Sequence, residues 1–155
     1  MRSVALGLSV FAVSLFPLVV SADTSRPNIN GSWQLNAAKS QLESPVDGIT
    51  LDIQSTSDKL KLIRTVHGKD GKDLTSQFDC KTDGTDCVFD AGSYKAKVSV
   101  WYDGNALQIL KTDGPKDDAV TQWKVVCTDG SSLSIELTHI DPSGKAEMLV
   151  FEKKH

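Results

Sequence analysis

The sequence has little of what marks most catalytic, metal-binding and nucleic-acid-binding proteins. Its 155 residues include only three cysteines, and aromatic residues make up 6%. It has no Cys-x-x-Cys pair at zinc-ligand spacing, no Gly-x-Ser-x-Gly nucleophile motif and no glycine-rich phosphate loop. No basic block stands out beyond Lys153-Lys154. We therefore expect no enzymatic activity, no cofactor, no metal ion and no nucleic-acid partner.

Only one long hydrophobic run is present, and it lies at the start. Residues 4–20 are almost wholly apolar after the basic Arg2, with Pro17 near the end of the run. Val20-Ser21-Ala22 then offers a signal-peptidase site. A membrane anchor is the alternative, but the run is short and Pro17 interrupts it. We predict a signal peptide over residues 1–22, a secreted or periplasmic protein, and no membrane span after cleavage.

The remainder has the size and charge of one soluble domain. Cleavage would remove Arg2 and no acid, which leaves 16 of the 17 basic residues against 20 acidic ones and a net charge of about −4. Residues 23–30 are polar and are interpreted as a flexible N-terminal segment, followed by a domain over residues 31–155. We expect this domain to be a monomer.

Apolar residues do not recur at helical spacing over a stretch long enough for a helix, apart from a possible helical turn at residues 37–42. Instead, apolar and polar residues mostly alternate with a period of two. Apolar residues alternate with polar ones in runs such as Ile49-Leu51-Ile53 and Leu133-Ile135-Leu137. Short turns separate the runs, several of them Asp-Gly, which is a strong hairpin signal. Nine or ten strands are predicted, at about 32–37, 47–55, 59–67, 73–80, 86–90, 93–102, 105–112, 118–127, 132–140 and 145–153. Such a meander buries its apolar face and removes its edges by closing into an all-β antiparallel barrel of 8–10 strands.

The cysteines fit an oxidising compartment. Cys80 and Cys87 flank residues 81–86, a turn by composition, so paired flanking strands would bring them together as a disulfide. Cys127 is then left over and is interpreted as a buried free thiol.

The run Gly31-Ser32-Trp33-Gln34-Leu35 at the head of such a meander resembles the first strand of the calycin superfamily, which includes lipocalins and fatty-acid-binding proteins. The ending Val150-Phe151-Glu152-Lys153 resembles their last strand. The form Gly-x-Trp-x-Leu-Asn-x-x-Lys-Ser resembles bacterial exported lipocalin-like proteins more closely. The resemblance implies a barrel whose closed end is plugged by Trp33, with Lys153 or Lys154 packed over its ring.

Two departures concern the ligand. Fatty-acid-binding proteins commonly hold a carboxylate with an Arg-x-Tyr pair on the last strand, where this chain has Leu149 and Phe151. Their two-helix lid has no room here either, since about ten residues separate Asn36 from Asp47. The resemblance therefore implies a cavity and not a particular ligand.

Candidate ligand-binding residues follow from the alternation. Arg64 shares the face of Leu60, Leu62 and Val66, so it would meet a carboxylate or phosphate if that face points inward. A place at the barrel mouth or an external salt bridge is the alternative for Arg64. The aromatic residues could instead fill the core of the barrel without contacting a ligand. His139 could instead be a strand-end histidine that binds neither zinc nor haem. The full candidate set is Arg64, Phe78, Tyr94, Val98, His139 and Phe151.

The function predicted from the sequence is binding or transport of a small apolar or amphipathic molecule inside the barrel. The alternative is a protein-binding module, such as a secreted protease inhibitor of calycin fold that acts through residues 23–30.

Overall fold

A computed structural model describes residues 26–44 and 46–155 of the chain. They form ten antiparallel strands and two short 3₁₀ turns, at Ala37–Lys39 and Lys116–Asp118. The predicted signal peptide and residues 23–25 lie outside the described residues. The strands are β1 (Gly31–Leu35), β2 (Gly48–Ser55), β3 (Lys59–His67), β4 (Asp73–Lys81), β5 (Asp83–Asp90), β6 (Lys95–Asp103), β7 (Ala106–Thr112), β8 (Val120–Cys127), β9 (Ser132–Asp141) and β10 (Glu147–Lys153).

Each strand pairs with the next along the chain, and β1 pairs with β10 to close the barrel. The predicted all-β antiparallel closed barrel is therefore confirmed, with ten strands. One local prediction is wrong: residues 83–86 belong to β5 and not to a turn. Their polar side chains are exposed on the outside, so no apolar alternation marked them as strand, and the ladder to β6 shifts register between Asp83 and Asp86.

The closed end of the barrel is built around Trp33. This side chain is fully buried, and its Nε1 donates a hydrogen bond of 3.0 Å to the carbonyl oxygen of Ile29. Lys153, which is paired with Trp33 across β1 and β10, places its Nζ 5.4 Å from the ring centroid. The structure thus places Lys153 over the ring, in the position that the resemblance implied for Lys153 or Lys154.

Residues 26–30 pack against this same end. Ile29 is 1% exposed, and Asn30 exchanges two hydrogen bonds with the backbone of Ser55. Arg26 donates to the carbonyl oxygen of Ser57 and lies 4.5 Å from the ring centroid of Tyr102. The segment interpreted as flexible over residues 23–30 is therefore held on the barrel from residue 26 onward, because it supplies an apolar side chain to the core and hydrogen bonds to the end of β2 and the turn between β2 and β3.

The Cys80–Cys87 disulfide is present, as predicted. It joins β4 to β5 with their Cα atoms 5.6 Å apart. Cys127 is a free, partly buried thiol on β8.

The half of the barrel above Trp33 is filled by inward-facing aliphatic residues. Leu60, Leu62, Leu107, Leu133 and Ile135 are each at most 2% exposed and belong to one hydrophobic cluster with Trp33. Filling this half leaves open space only toward the opposite end, where β2 starts and β3 ends. In residues 26–44 and 46–155, no helix has the length and hydropathy to cross a membrane.

Candidate ligand cavity

A cavity of ≈ 350 Å³ occupies the half of the barrel opposite Trp33. This volume lies within the range of small-molecule sites in proteins. Its walls are mostly apolar, with hydroxyl groups and charges at a few positions. The lining includes Val66, Ser76, Phe78, Phe89, Tyr94, Val98, Ile109, Thr121 and Leu137.

The floor of the cavity is set by Arg64 of β3 and Trp123 of β8. The next inward-facing residue toward the closed end is Leu62 on β3 and Val125 on β8. Both are 2% exposed, and neither lines the cavity. Because β3 and β8 lie five strands apart in a ring of ten, the two floor residues come from opposite walls. The Cζ atom of Arg64 reaches across to 5.8 Å from the ring centroid of Trp123, a cation–π distance.

The guanidinium of Arg64 has no counter-ion in contact. No salt bridge or hydrogen bond joins the guanidinium to any of the residues described. Every completely buried polar side-chain atom among those residues has a hydrogen-bond partner, so the nitrogen atoms of Arg64, which have none, are not completely buried. The nitrogen atoms of Arg64 therefore face the open space of the cavity. Enclosure by the barrel lowers the pKa of Arg64, while the more distant Asp118, Glu147 and Tyr94 oppose that shift. An enclosed cation without a partner is costly, and an anionic ligand would relieve that cost.

The other cation of the cavity already has a partner. Lys111 of β7 is 6% exposed, and its Nζ forms an ion pair with Asp118 of the second 3₁₀ turn. The same Nζ lies 3.4 Å from the Tyr94 hydroxyl and 5.6 Å from the ring centroids of Phe89 and Tyr94. Lys111 thus ties the loop between β7 and β8 to the inner wall of the mouth.

A second polar pair lies at the mouth, between β9 and β10. Nε2 of His139 is 3.3 Å from Oε2 of Glu147, and Oε1 of Glu147 accepts a hydrogen bond from the backbone of Glu43. In the described ranges, no group of three His, Cys, Asp or Glu side chains is arranged to hold a metal ion. The histidine is thus a strand-end residue paired with a carboxylate.

Five of the six candidate ligand residues line this one cavity: Arg64, Phe78, Tyr94, Val98 and His139. Their ligand-binding role stays a prediction. Phe151 does not line it, because it lies two inward-facing positions below Glu147 on β10, paired with Leu35 and Leu133 in the filled half. The alternation of apolar and polar residues along β10 correctly predicted that Phe151 faces inward. How deep Phe151 lies along the barrel axis depends on the register of β10 with β1 and β9.

Among the lining residues outside the candidate set, three make the contacts described above: Lys111, Trp123 and Asp118. Lys111 continues the inward face of Leu107 and Ile109, so the reasoning used for Arg64 would have found it. Trp123 lies on the inward face of β8, between Thr121 and Val125. Asp118 lies in a turn and carries no periodic signal, so its contact with Lys111 had no local signature.

The fold resembles that of known small barrels. The fatty acid transporter REP1-NXSQ matches with a TM-score of 0.61 and 14% identity over 83% of this chain and 97% of that one. The wild-type fluorescent protein UnaG matches with a TM-score of 0.55 and 18% identity over 81% of this chain and 97% of that one. No family model and no curated protein matches the sequence. The likeness shows the fold alone, a closed antiparallel β-barrel of this size.

Proposed function

We propose that this chain is an exported, monomeric binding protein that carries a small amphipathic anion in its cavity. The observation that supports the proposal is the unpartnered guanidinium of Arg64 at the floor of an otherwise mostly apolar cavity. A carboxylate placed against Arg64 would form charge-assisted hydrogen bonds, and the apolar remainder would lie against Phe78, Val98 and Ile109. Binding of this kind involves no covalent step.

Export rests on the signal-like residues 1–22 and on the resemblance to bacterial exported lipocalin-like proteins. The disulfide is consistent with an oxidising compartment. The neighbour described as a fatty acid transporter supports the ligand class without deciding it, since the Arg-x-Tyr pair is missing here and Arg64 is on β3.

The alternative of a protease inhibitor acting through the N-terminal segment has less support. Such a segment has to be free to enter a cleft, whereas residues 26–30 supply a buried side chain and hydrogen bonds to the closed end.

The direct test compares two ligands that share a tail and differ in the head group. Dodecanoate is expected to bind about 10- to 100-fold more tightly than dodecanol, as a hydrogen bond to a charged group contributes about 1.5–3 kcal/mol. The Arg64→Met variant should lose this preference while keeping the affinity for dodecanol. Isothermal calorimetry measures both. A wild-type protein that binds neither, or that prefers the alcohol, would overturn the proposal.

A further inference from the structure

Charge is distributed unevenly along the cavity. Its floor has the guanidinium of Arg64, which has no counter-ion in contact. The other charged or titratable side chains that line it, apart from Tyr94, lie where strands end at the mouth. They are Lys111 near the end of β7, Asp117 and Asp118 in the loop that follows, His139 near the end of β9 and Glu147 at the start of β10. The cavity therefore has a cation at its floor and mostly carboxylates at its mouth.

At the mouth, the carboxylates outnumber the cations. Asp117, Asp118 and Glu147 each carry a negative charge, and Lys111 carries the one permanent positive charge among the lining residues there. Protonation of His139 would add a second positive charge and still leave the carboxylates in excess. The net charge of the mouth lining is therefore negative in either protonation state of this histidine.

The cations of the mouth are already in contact with carboxylates. Lys111 forms an ion pair with Asp118, and Nε2 of His139 is 3.3 Å from Oε2 of Glu147. Asp117, by contrast, is exposed and makes no salt bridge or side-chain hydrogen bond within the described part of the chain. A bound molecule would thus meet an available carboxylate at the mouth and no available cation.

The opening of the cavity lies beside these carboxylates. Leu74 and Ser93 line the cavity and are exposed, which places its opening at the end of the barrel on the side of β3 to β6. Lys111 connects this side to the loop between β7 and β8, because its Nζ contacts Asp118 and is 3.4 Å from the Tyr94 hydroxyl. The outer end of a bound chain can therefore stay hydrated at the opening and still be close to the carboxylates.

The two ends of a bound chain would experience opposite charges. An anionic group at the floor meets the unpartnered nitrogen atoms of Arg64. A second anionic group at the mouth meets carboxylates and is repelled, whereas an ammonium group there is attracted. Enclosure strengthens both effects, and the side chain of Glu147 is only 15% exposed.

We propose that the cavity selects a chain with opposite charges at its two ends, an anionic group against Arg64 and an ammonium group at the mouth, and that Asp117 and Glu147 discriminate against a second anionic group. The inference rests on the proposed function, since it concerns the same cavity. It narrows the ligand class from amphipathic anions to long-chain ω-amino acids and similar zwitterions, and it disfavours dicarboxylates.

The first experiment varies only the outer end of the ligand. Hexanoic, octanoic, decanoic and dodecanoic acids are each compared with an amino, a hydroxyl or a second carboxyl group at the ω-carbon, so that every ligand keeps a carboxylate for Arg64. At the length that reaches the mouth, isothermal calorimetry should show the amino acid binding at least about tenfold more tightly than the dicarboxylic acid, with the hydroxy acid between them. Added salt should narrow the difference, because the mouth is open to solvent.

The outcomes separate the two proposals. If the hydroxy acids bind and the end group makes no difference at any length, or if the dicarboxylic acids bind most tightly, the selection at the mouth is overturned and the proposed function stands. If no member of the series binds, both proposals fail.

The second experiment removes negative charge from the mouth. Asp117→Asn/Glu147→Gln keeps the size of both side chains, and the preference for the amino over the carboxyl end should fall at least about fivefold, with little change for the hydroxy acid. The matched control is Asp113→Asn, because Asp113 lies in the same loop, pairs with Lys97 and does not line the cavity. An undiminished preference in the double variant, or an equal loss in the control, would overturn the role of these carboxylates.

A single variant protects this test against a failure to fold. Glu147 accepts a hydrogen bond from the backbone of Glu43 and contacts His139, so its replacement has structural consequences. Asp117 makes no such contact among the described residues, so Asp117→Asn should fold like the wild type and lower the preference about two- to threefold. A folded Asp117→Asn protein with the full preference would remove Asp117 from the selection.

Discussion

Arg64 and Trp123 meet across the lumen of the barrel, with the guanidinium carbon 5.8 Å from the centroid of the indole. They lie on opposite walls and form the boundary between a filled half and a hollow half. Arg64 has no counter-ion in contact among the described residues, and only the more distant Asp118, Glu147 and Tyr94 oppose the loss of its charge on burial.

The first prediction concerns the stability cost of that charge. Replacing Arg64 with Met keeps much of the side-chain volume and removes the enclosed cation, so the ligand-free variant should be at least as stable as the wild type. Urea unfolding would measure this. The control is Lys111→Met, which leaves Asp118 without its partner and should be destabilised. A clear loss of stability in Arg64→Met would indicate that the contact with Trp123 outweighs the desolvation of the guanidinium.

The second prediction concerns Trp33 at the closed end. Trp33→Ala should lower the free energy of unfolding by about 3–5 kcal/mol, because it opens a cavity among fully buried side chains and leaves the Ile29 carbonyl oxygen without its donor. Trp101 lies on the outward face of β6 and is partly exposed, so Trp101→Ala serves as the matched control with a smaller loss. Chemical denaturation followed by circular dichroism compares the two. Similar losses would argue against the plug.

The third prediction concerns Gly31, which has a φ of 128°. A Cβ atom there would also come within 2.9 Å of Lys153 Cε, the side chain that lies over Trp33. Gly31→Ala should therefore cost about 1–3 kcal/mol. Gly48→Ala is the control, since that glycine has no positive φ and an added Cβ would meet its nearest neighbours at 3.4 Å or more. Thermal unfolding measures both, and equal effects would contradict a special role for Gly31.

The fourth prediction concerns acid sensitivity at the hairpin between β8 and β9. The Asp129 carboxylate accepts hydrogen bonds from the backbone and hydroxyl of Ser131 and from the backbone of Ser132, which lowers the pKa of Asp129. A carboxylate with a lowered pKa in the folded state stabilises the fold above its ordinary pKa of about 4 and loses that contribution as the pH falls further. Asp129→Asn does not titrate, so its stability should fall less steeply below about pH 4 in urea titrations. An unchanged slope would remove Asp129 from the acid response.

Much of the fold could be predicted from local pattern, and the reason is physical. A strand with one buried face alternates, and a tight antiparallel turn needs residues that accept positive φ, as Gly104 and Gly130 do. Each of these two signals depends only on residues that are close together in the sequence. The exception was the start of β5, where residues 83–86 are polar and exposed and have no buried face to alternate.

The cavity was only partly predictable, because depth along the barrel is a long-range property. The inward face of Arg64 and that of Phe151 follow from the same alternation, yet one lines the cavity and the other lies in the filled half. The difference is set by the pairing of β10 with β1 and β9. The contact between Arg64 and Trp123 depends likewise on closure of the whole ring. The contact between Lys111 and Asp118 spans only seven residues and depends instead on the conformation of the loop between β7 and β8.

Both ends of the described chain lie at the closed end of the barrel. Residues 26–30 pack at the closed end, and Lys154 N–H donates a hydrogen bond of 2.8 Å to the carbonyl oxygen of Ser32. Surface immobilisation or fusion at residue 26 or at residue 155 would therefore be attached at the end of the barrel opposite the cavity and leave the mouth accessible. For the same reason, a linker from residue 155 to residue 26 would run over the closed end and not over the cavity, which makes the barrel suitable for circular permutation with new ends in a loop at the open side.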